Sequence, residues 1–186
     1  MMSQTNKIKL VLLVHEGSAQ TNLKAIGNAI YKNKINAEIS AVISRKEDTL
    51  STIERILPDY ICLCGWKKTI PNKVIKKYKN KILNLHPGLI PDTLDKNAKK
   101  IRNPDNTEAL WNKGMYGNRA IANFLDKKAT FAGSSVHFLT LNFDFGPVLG
   151  RTFEQIKTDD TIESLYLRLK KKENELYVKV LEKLTS

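Results

Sequence analysis

A chain of 186 residues, 41% apolar and 27% charged, has the make-up of a folded globular protein and is long enough to bury a core of its own as a single domain. No apolar run reaches the length of a membrane span. The polar start from Met1 to Lys9 lacks the apolar stretch of a secretory signal, so no membrane partner and a cytoplasmic location are expected. The net charge of +12 favours anionic small molecules; the lysines are dispersed and no basic run is interleaved with aromatics, so nucleic acid is not the expected partner.

Ile8 to Val14 is a continuous apolar run, as in a strand covered on both faces. Glu16, Gly17 and Ser18 mark a turn, and Leu23, Ile26 and Ile30 then recur at helical spacing, which opens a βαβ unit. Ala37 to Ile43 reads as a second strand. Thr49 to Ile56 is a short helix with Asp48 as its N-cap, broken by Pro58. Tyr60 to Cys64 is a third strand stopped by Gly65. Asn72 to Tyr78 is a helix with Pro71 near its start, and Ile82 to Leu85 is a fourth strand. Cys62 and Cys64 share one face of their strand, too poorly placed to bridge, and read as small buried hydrophobes.

The pattern fails from Asp92 to Lys113. That stretch carries loop residues such as Asn103-Pro104-Asp105-Asn106, and a polar segment of this length inside a domain is a functional or mobile loop. A helix follows near Asn118 to Asp126. Ser134 to Leu141 and Gly146 to Ile156 are strands joined by a short turn, so they run antiparallel. Thr158 to Leu184 is a long helix whose stripe of Ile162, Leu165, Leu169, Leu176, Val180, Leu181 and Leu184 covers the sheet, with Asp160 and Glu163 placed as a capping box. The class is therefore α/β. The sheet is Rossmann-like and mostly parallel, with helices on both faces, antiparallel C-terminal strands and a long C-terminal helix.

Three places could carry chemistry. Asn84 and His86 lie two apart at the end of the fourth strand, so they project from one face at the carboxyl end of the sheet, where α/β folds bind ligands. An amide beside a group that titrates near neutral pH can hold and polarise a carbonyl oxygen. Asp144, between Phe143 and Phe145 and followed by Gly146-Pro147, is a turn carboxylate that either rises in pKa or pairs with a histidine. Gly133-Ser134-Ser135-Val136-His137 has small residues that admit a ligand or a second backbone. The three histidines and two cysteines form no metal-ligand cluster at helix spacing, and no metal is expected.

Asn84-Leu-His86-Pro-Gly-Leu-Ile-Pro91, Gly133-Ser-Ser-Val-His137 and Asp144-Phe-Gly-Pro147, in that order, resemble the formyltransferase family that uses 10-formyltetrahydrofolate. The resemblance is greatest to the branch that formylates glycinamide ribonucleotide in purine synthesis, and it covers most of the chain. It implies a catalytic triad of Asn84, His86 and Asp144. The cofactor pocket would hold Lys68 and Ile70 on one wall and Leu139, Leu141, Asn142 and Phe143 on the other. Gln20, Thr21, Asn22, Gly88, Ser135 and His137 would face a small phosphorylated amine. In this family an amine attacks the formyl carbon, with Asn84 and His86 stabilising the oxygen and Asp144 orienting His86 and moving a proton. Three departures stand out. The first loop loses the family's glycines, the stretch between Ile43 and Leu57 lacks a βα unit, and Asp92 to Lys113 is longer than usual. Formylation of another amine, such as that of an amino-sugar nucleotide, is the alternative within this chemistry. A non-catalytic folate- or nucleotide-binding module is the alternative outside it.

Overall fold

The computed structural model describes residues 7–16, 20–44, 49–95 and 100–186. The expected N-cap Asp48 and the turn residues Gly17 and Ser18 lie outside them. In chain order the elements are β1 (Ile8–Val14), α1 (Thr21–Tyr31), β2 (Ala37–Ile43), α2 (Thr49–Ile56), β3 (Tyr60–Cys64) and α3 (Asn72–Lys77). They continue with β4 (Ile82–His86), α4 (Gly117–Asp126), β5 (Phe131–Phe138), β6 (Val148–Gln155) and α5 (Ile162–Leu184). They build one six-stranded sheet in the order β2-β1-β3-β4-β5-β6. β1 pairs with β2 and β3 in parallel, as β3 does with β4; β5 is antiparallel to both β4 and β6.

Alternation along the strands sorts the core into two layers. Leu10, Leu12, Val14, Cys62, Cys64, Leu83 and Val136 face α1 and α5, where Ile26, Leu176, Tyr177 and Val180 complete the cluster. Val11, Leu13, Ile61, Leu63 and Ile82 face the other way, toward Ile53 of α2 and Val74 of α3. The central strands are buried on both faces, which is why they read as unbroken apolar runs rather than as alternating ones. α4 joins the first layer through Ile121 and Phe124 against Leu165 and Leu169. Tyr177, fully buried, brings its hydroxyl to the carbonyls of Leu83 (3.2 Å) and Leu63 (3.4 Å) and so ties α5 to the sheet centre. Both cysteines are buried and free, and burial pushes the Cys62 thiol up to about 12, as for inert core residues.

Two expectations are corrected. The capping box of α5 is made by Thr161 and Ser164, not by Asp160 and Glu163: the Thr161 hydroxyl accepts from Ser164 N, and Ser164 Oγ accepts from Thr161 N. Asp160 is drawn instead to Arg168, which approaches both of its carboxylate oxygens (2.7 and 2.6 Å). β5 starts three residues earlier than its expected start at Ser134 and ends at Phe138, because its pairing with β6 runs back to Phe131↔Gln155. No helix among the described residues is long and apolar enough to cross a membrane.

Candidate functional site

The site forms where β4 ends. Asn84 pairs across the sheet with His137 of β5, and His86 pairs with Ser135. All four side chains fall on the face opposite Leu83, Leu85, Ser134 and Val136, because strand residues alternate. The β5–β6 turn brings Asp144 to the same place. Its geometry is set locally: Asp144 has a left-handed backbone (φ 49), which aspartate tolerates. Gly146 lies against the sheet, where a Cβ would stand 2.1 Å from Phe138 O. Thr140 Oγ1 closes the turn onto Phe145 O at 2.6 Å.

His86 Nδ1 lies 3.6 Å from Asp144 Oδ1; the imidazole is 2% exposed and the carboxylate 14%, so the ring forms the floor and the acid the rim. The other ring nitrogen, Nε2, lies 2.7 Å from the backbone carbonyl of Trp111. Asp144 also accepts from Gly114 N (2.7 Å), and its own carbonyl accepts from the Trp111 indole N–H (3.0 Å). Burial draws the His86 pKa below its ordinary value, against the charge of Asp144 and the Trp111 hydrogen bond. Its Nε2 is engaged by the main-chain carbonyl of Trp111, and its Nδ1 faces the Asp144 carboxylate.

Asn84 is held by His137. The carbonyl of Phe138 accepts from His137 Nδ1–H (3.0 Å), so Nε2 is left to accept from the Asn84 amide at 3.2 Å. One Asn84 N–H is thereby aligned and the second remains for a ligand. Burial first, and then the neighbouring His86, push the His137 pKa down to about 4.

Three residues expected to touch substrate have supporting roles instead. His137 is fully buried behind Asn84. Ser135, also fully buried, donates to Gly88 O (2.8 Å) and accepts from Ile90 N (3.0 Å), clamping the turn after β4. Gly88 makes room: a Cβ there would stand 1.8 Å from Trp111 O.

On the first wall expected for the cofactor, Ile70 is buried in the cluster against which Trp66 and Leu139 also pack, and Lys68 lies over the Trp66 ring at 5.3 Å. The indole N–H of Trp66 is buried with no partner among the described residues. Leu141 and Phe143 stand 53% and 69% exposed. An apolar floor, an orphaned donor and exposed apolar side chains fit a flat heteroaromatic ring with acceptor atoms.

Across the sheet, a cavity of about 120 Å³ is lined by Leu85, Pro87, Tyr116, Tyr166, Lys170 and Glu173. Glu173 is buried, accepts from Ser134 Oγ at 2.6 Å and pairs with Lys170. Burial opposes the Lys170 charge, but Glu173 outweighs it and raises the ammonium pKa. Asn22 reaches the next residue of that helix, donating to Asn174 Oδ1 at 3.0 Å. Gln20 is the left-handed N-cap of α1 and Thr21 its first residue, and Gln20 makes no side-chain cap. Sequence reading missed Lys170 and Glu173 because they are embedded in the charged run of a covering helix. The available signal was the acid at an otherwise core-facing position.

Comparison with known proteins gives the family. The family model described as formyl transferase matches residues 46–181. The chain belongs to the formyl transferase family. It is 29% identical over 137 residues to the chloroplastic phosphoribosylglycinamide formyltransferase of Vigna unguiculata, covering 74% of this chain and 38% of that protein. With the Arabidopsis thaliana protein of the same name it shares 28% identity, covering 86% of this chain and 52% of that protein. The chain thus spans about half or less of the length of these curated relatives. The solved structure of phosphoribosylglycinamide formyltransferase from Coxiella burnetii superposes with a TM-score of 0.74 at 25% identity, covering 97% of this chain and 88% of that one.

Proposed function

We propose that this formyl transferase moves a formyl group from 10-formyltetrahydrofolate to the primary amine of glycinamide ribonucleotide. The observation that carries the reading is the meeting of Asn84, His86 and Asp144, drawn from β4 and from the β5–β6 turn, at one end of the sheet. The names of the relatives support the acceptor, as does the paired Lys170 and Glu173 on the far side of β4. A buried carboxylate offers acceptors to sugar hydroxyls, and an ammonium beside it offers charge to a phosphate. The start of α1, at Gln20, Thr21 and Asn22, extends that surface.

When bound, the folate supplies an activated formyl carbon and a nitrogen leaving group. Trp66, Ile70 and Leu139 would seat its ring, with Lys68, Leu141, Asn142 and Phe143 at the mouth. Asn84 directs its second N–H at the formyl oxygen as negative charge develops there, usually the largest contribution in acyl transfer. His86, held beside Asp144, stabilises the same oxygen. Asp144 orients His86 and takes the proton from the attacking amine, passing it to the departing folate nitrogen. A cytoplasmic location goes with this reading, supported by two free, buried cysteines.

The test is turnover of 10-formyltetrahydrofolate in the presence of glycinamide ribonucleotide. Asn84→Ala and His86→Ala should each lower kcat by roughly 10²-fold or more with the fold intact. Retention of the wild-type rate in either overturns the mechanism. The contact of Trp111 with His86, next to the stretch that is longer than usual for the family, favours one second reading: the same transfer to a different amine, such as that of an amino-sugar nucleotide. A panel of amines read by the same assay separates the two acceptors.

A further inference from the structure

The run from Trp111 to Gly117 passes round the end of β4, from the face that carries the triad to the face that carries the cavity. On the first face Trp111 O lies 2.7 Å from His86 Nε2, and Gly114 N donates to Asp144 Oδ2 at 2.7 Å. On the second, Tyr116 lines the cavity with Leu85, Pro87, Tyr166, Lys170 and Glu173. The turn between the two faces is anchored at Asn112. Its Nδ2 donates to Pro87 O (3.0 Å) and Ala120 O (3.2 Å), its Oδ1 accepts from Asn123 (2.8 Å), and its carbonyl accepts from Met115 N (2.9 Å). Asn112 (φ 54) and Gly114 (φ 77) take left-handed backbone, which asparagine and glycine adopt most readily.

Tyr116 does little for the fold. It is the extended N-cap of α4, yet its side chain makes no cap, and the residue is 66% exposed. The other tyrosine at the cavity is differently placed: Lys170 Nζ lies 5.6 Å from the centre of the Tyr166 ring. Tyr116 has no such cation and no second ring against it among the described residues. One tyrosine therefore holds the ammonium, and the other offers a bare face on an anchored turn. Beside it stand the apolar Leu85 and Pro87, the buried Glu173 carboxylate and the Lys170 ammonium. That set matches a sugar bearing an anionic group. An aromatic face is electron-rich and attracts the C–H groups on the apolar side of a sugar ring. A carboxylate accepts from its hydroxyls, and an ammonium pairs with its anion. The cavity of about 120 Å³ is well below the roughly 300–1,000 Å³ of sites for drug-sized ligands. It takes one ring, and a base or a second sugar would lie outside it.

We propose that Tyr116 is a specificity-determining residue: its ring covers the cavity across β4 and stacks on a single phosphorylated sugar ring held there, so that the amine of the acceptor is directed round the end of β4 to the triad. The turn that carries Tyr116 also contacts Asp144 through Gly114, so one short stretch of chain touches both the sugar site and the carboxylate. The role in acceptor choice rests on the formyl-transfer reading; the stacking on a sugar phosphate does not.

The experiment measures binding of ribose 5-phosphate and of glycinamide ribonucleotide to the full chain without folate, by calorimetry and proton NMR, alongside formyl-transfer kinetics. Bound ribose 5-phosphate should show its ring C–H resonances shifted upfield by the tyrosine ring current in the wild type, and Tyr116→Ala should lose that shift. Tyr116→Ala should weaken both probes about tenfold and raise KM for the amine by a similar factor, more than it lowers kcat, as for a contact made equally in the ground and transition states. Tyr116→Phe should bind within about twofold of the wild type, because the ring face and not the hydroxyl makes the contact. Tyr116 is exposed, so both variants should keep the fold, which circular dichroism checks. A folded Tyr116→Ala protein with wild-type dissociation constants overturns the proposal, as does a Tyr116→Phe protein as weak as Tyr116→Ala. A wild type that binds neither probe also overturns it. If the wild type binds ribose 5-phosphate with the upfield shift but transfers formyl to no amine, the functional reading fails and the stacking stands.

Discussion

His137 shows how a single buried side chain can shape both stability and the site. With no exposed surface and a pKa pushed down to about 4, it is neutral throughout the neutral range. In the unfolded chain it titrates near the ordinary histidine value of about 6.5. The folded state thus binds fewer protons between these values, and stability should be fully present above about pH 6.5 and fall as the pH drops toward about 4. The difference corresponds to roughly 3 kcal/mol, and His86, shifted in the same direction, adds to it. Denaturant midpoints measured across this range should decline in the wild type and decline less in His137→Asn. An equal slope in both would assign the acid sensitivity elsewhere. Glu173 supplies a second prediction at this scale. Glu173→Gln keeps the shape but removes the charge beside Lys170, and it should raise KM for the amine about tenfold while leaving that for the folate near its wild-type value. Steady-state kinetics with each substrate varied in turn decides it.

Among the elements, the β5–β6 turn and α5 hold the site in place. Gly146 has no room for a side chain, since a Cβ would sit 2.1 Å from Phe138 O. Gly146→Ala should push the turn away, costing about 1–3 kcal/mol of stability and withdrawing Asp144 from His86. Thermal unfolding and kcat should fall together; a variant of wild-type stability and rate would mean that the turn adapts. α5 begins with a reciprocal cap between Thr161 and Ser164, whose loss in Thr161→Ala should cost about 1 kcal/mol in a denaturant titration. That effect should leave turnover unchanged, because the cap lies far along the helix from Glu173.

Across the whole molecule, the sheet has a free edge at β6, and α5 covers part of it. Lys172 Nζ donates to Phe153 O (2.6 Å) and an Arg168 guanidinium N–H donates to Gln155 O (3.2 Å), which satisfies carbonyls that would otherwise invite another strand. Replacing both cations with alanine should produce concentration-dependent association in sedimentation experiments. An unchanged sedimentation coefficient over a tenfold concentration range would show that these contacts do not protect the edge.

Much of this was legible in the chain itself. Unbroken apolar runs announced the central strands, helical spacing announced α1 and α5, and turn chemistry placed Asn84, His86 and Asp144 at strand ends. Each of these signals lies within a few residues of the group it predicts, so short-range backbone preferences suffice to reveal it. The sequence by itself thus determined the α/β class, the order of the elements and the chemical types at the site. The contacts that decide how those groups work span much longer separations: Trp111 on His86, Asp144 on Gly114, Glu173 on Ser134, Asn84 on His137. None follows from local propensity, because each depends on which face a strand presents and on how a loop returns to it. Only the tertiary structure decided that Ser135 and Gly88 serve the loop, that Lys170 and Glu173 line the cavity across β4, and which imidazole nitrogen faces the carboxylate. Burial and hydrogen-bond direction are properties of the packed molecule.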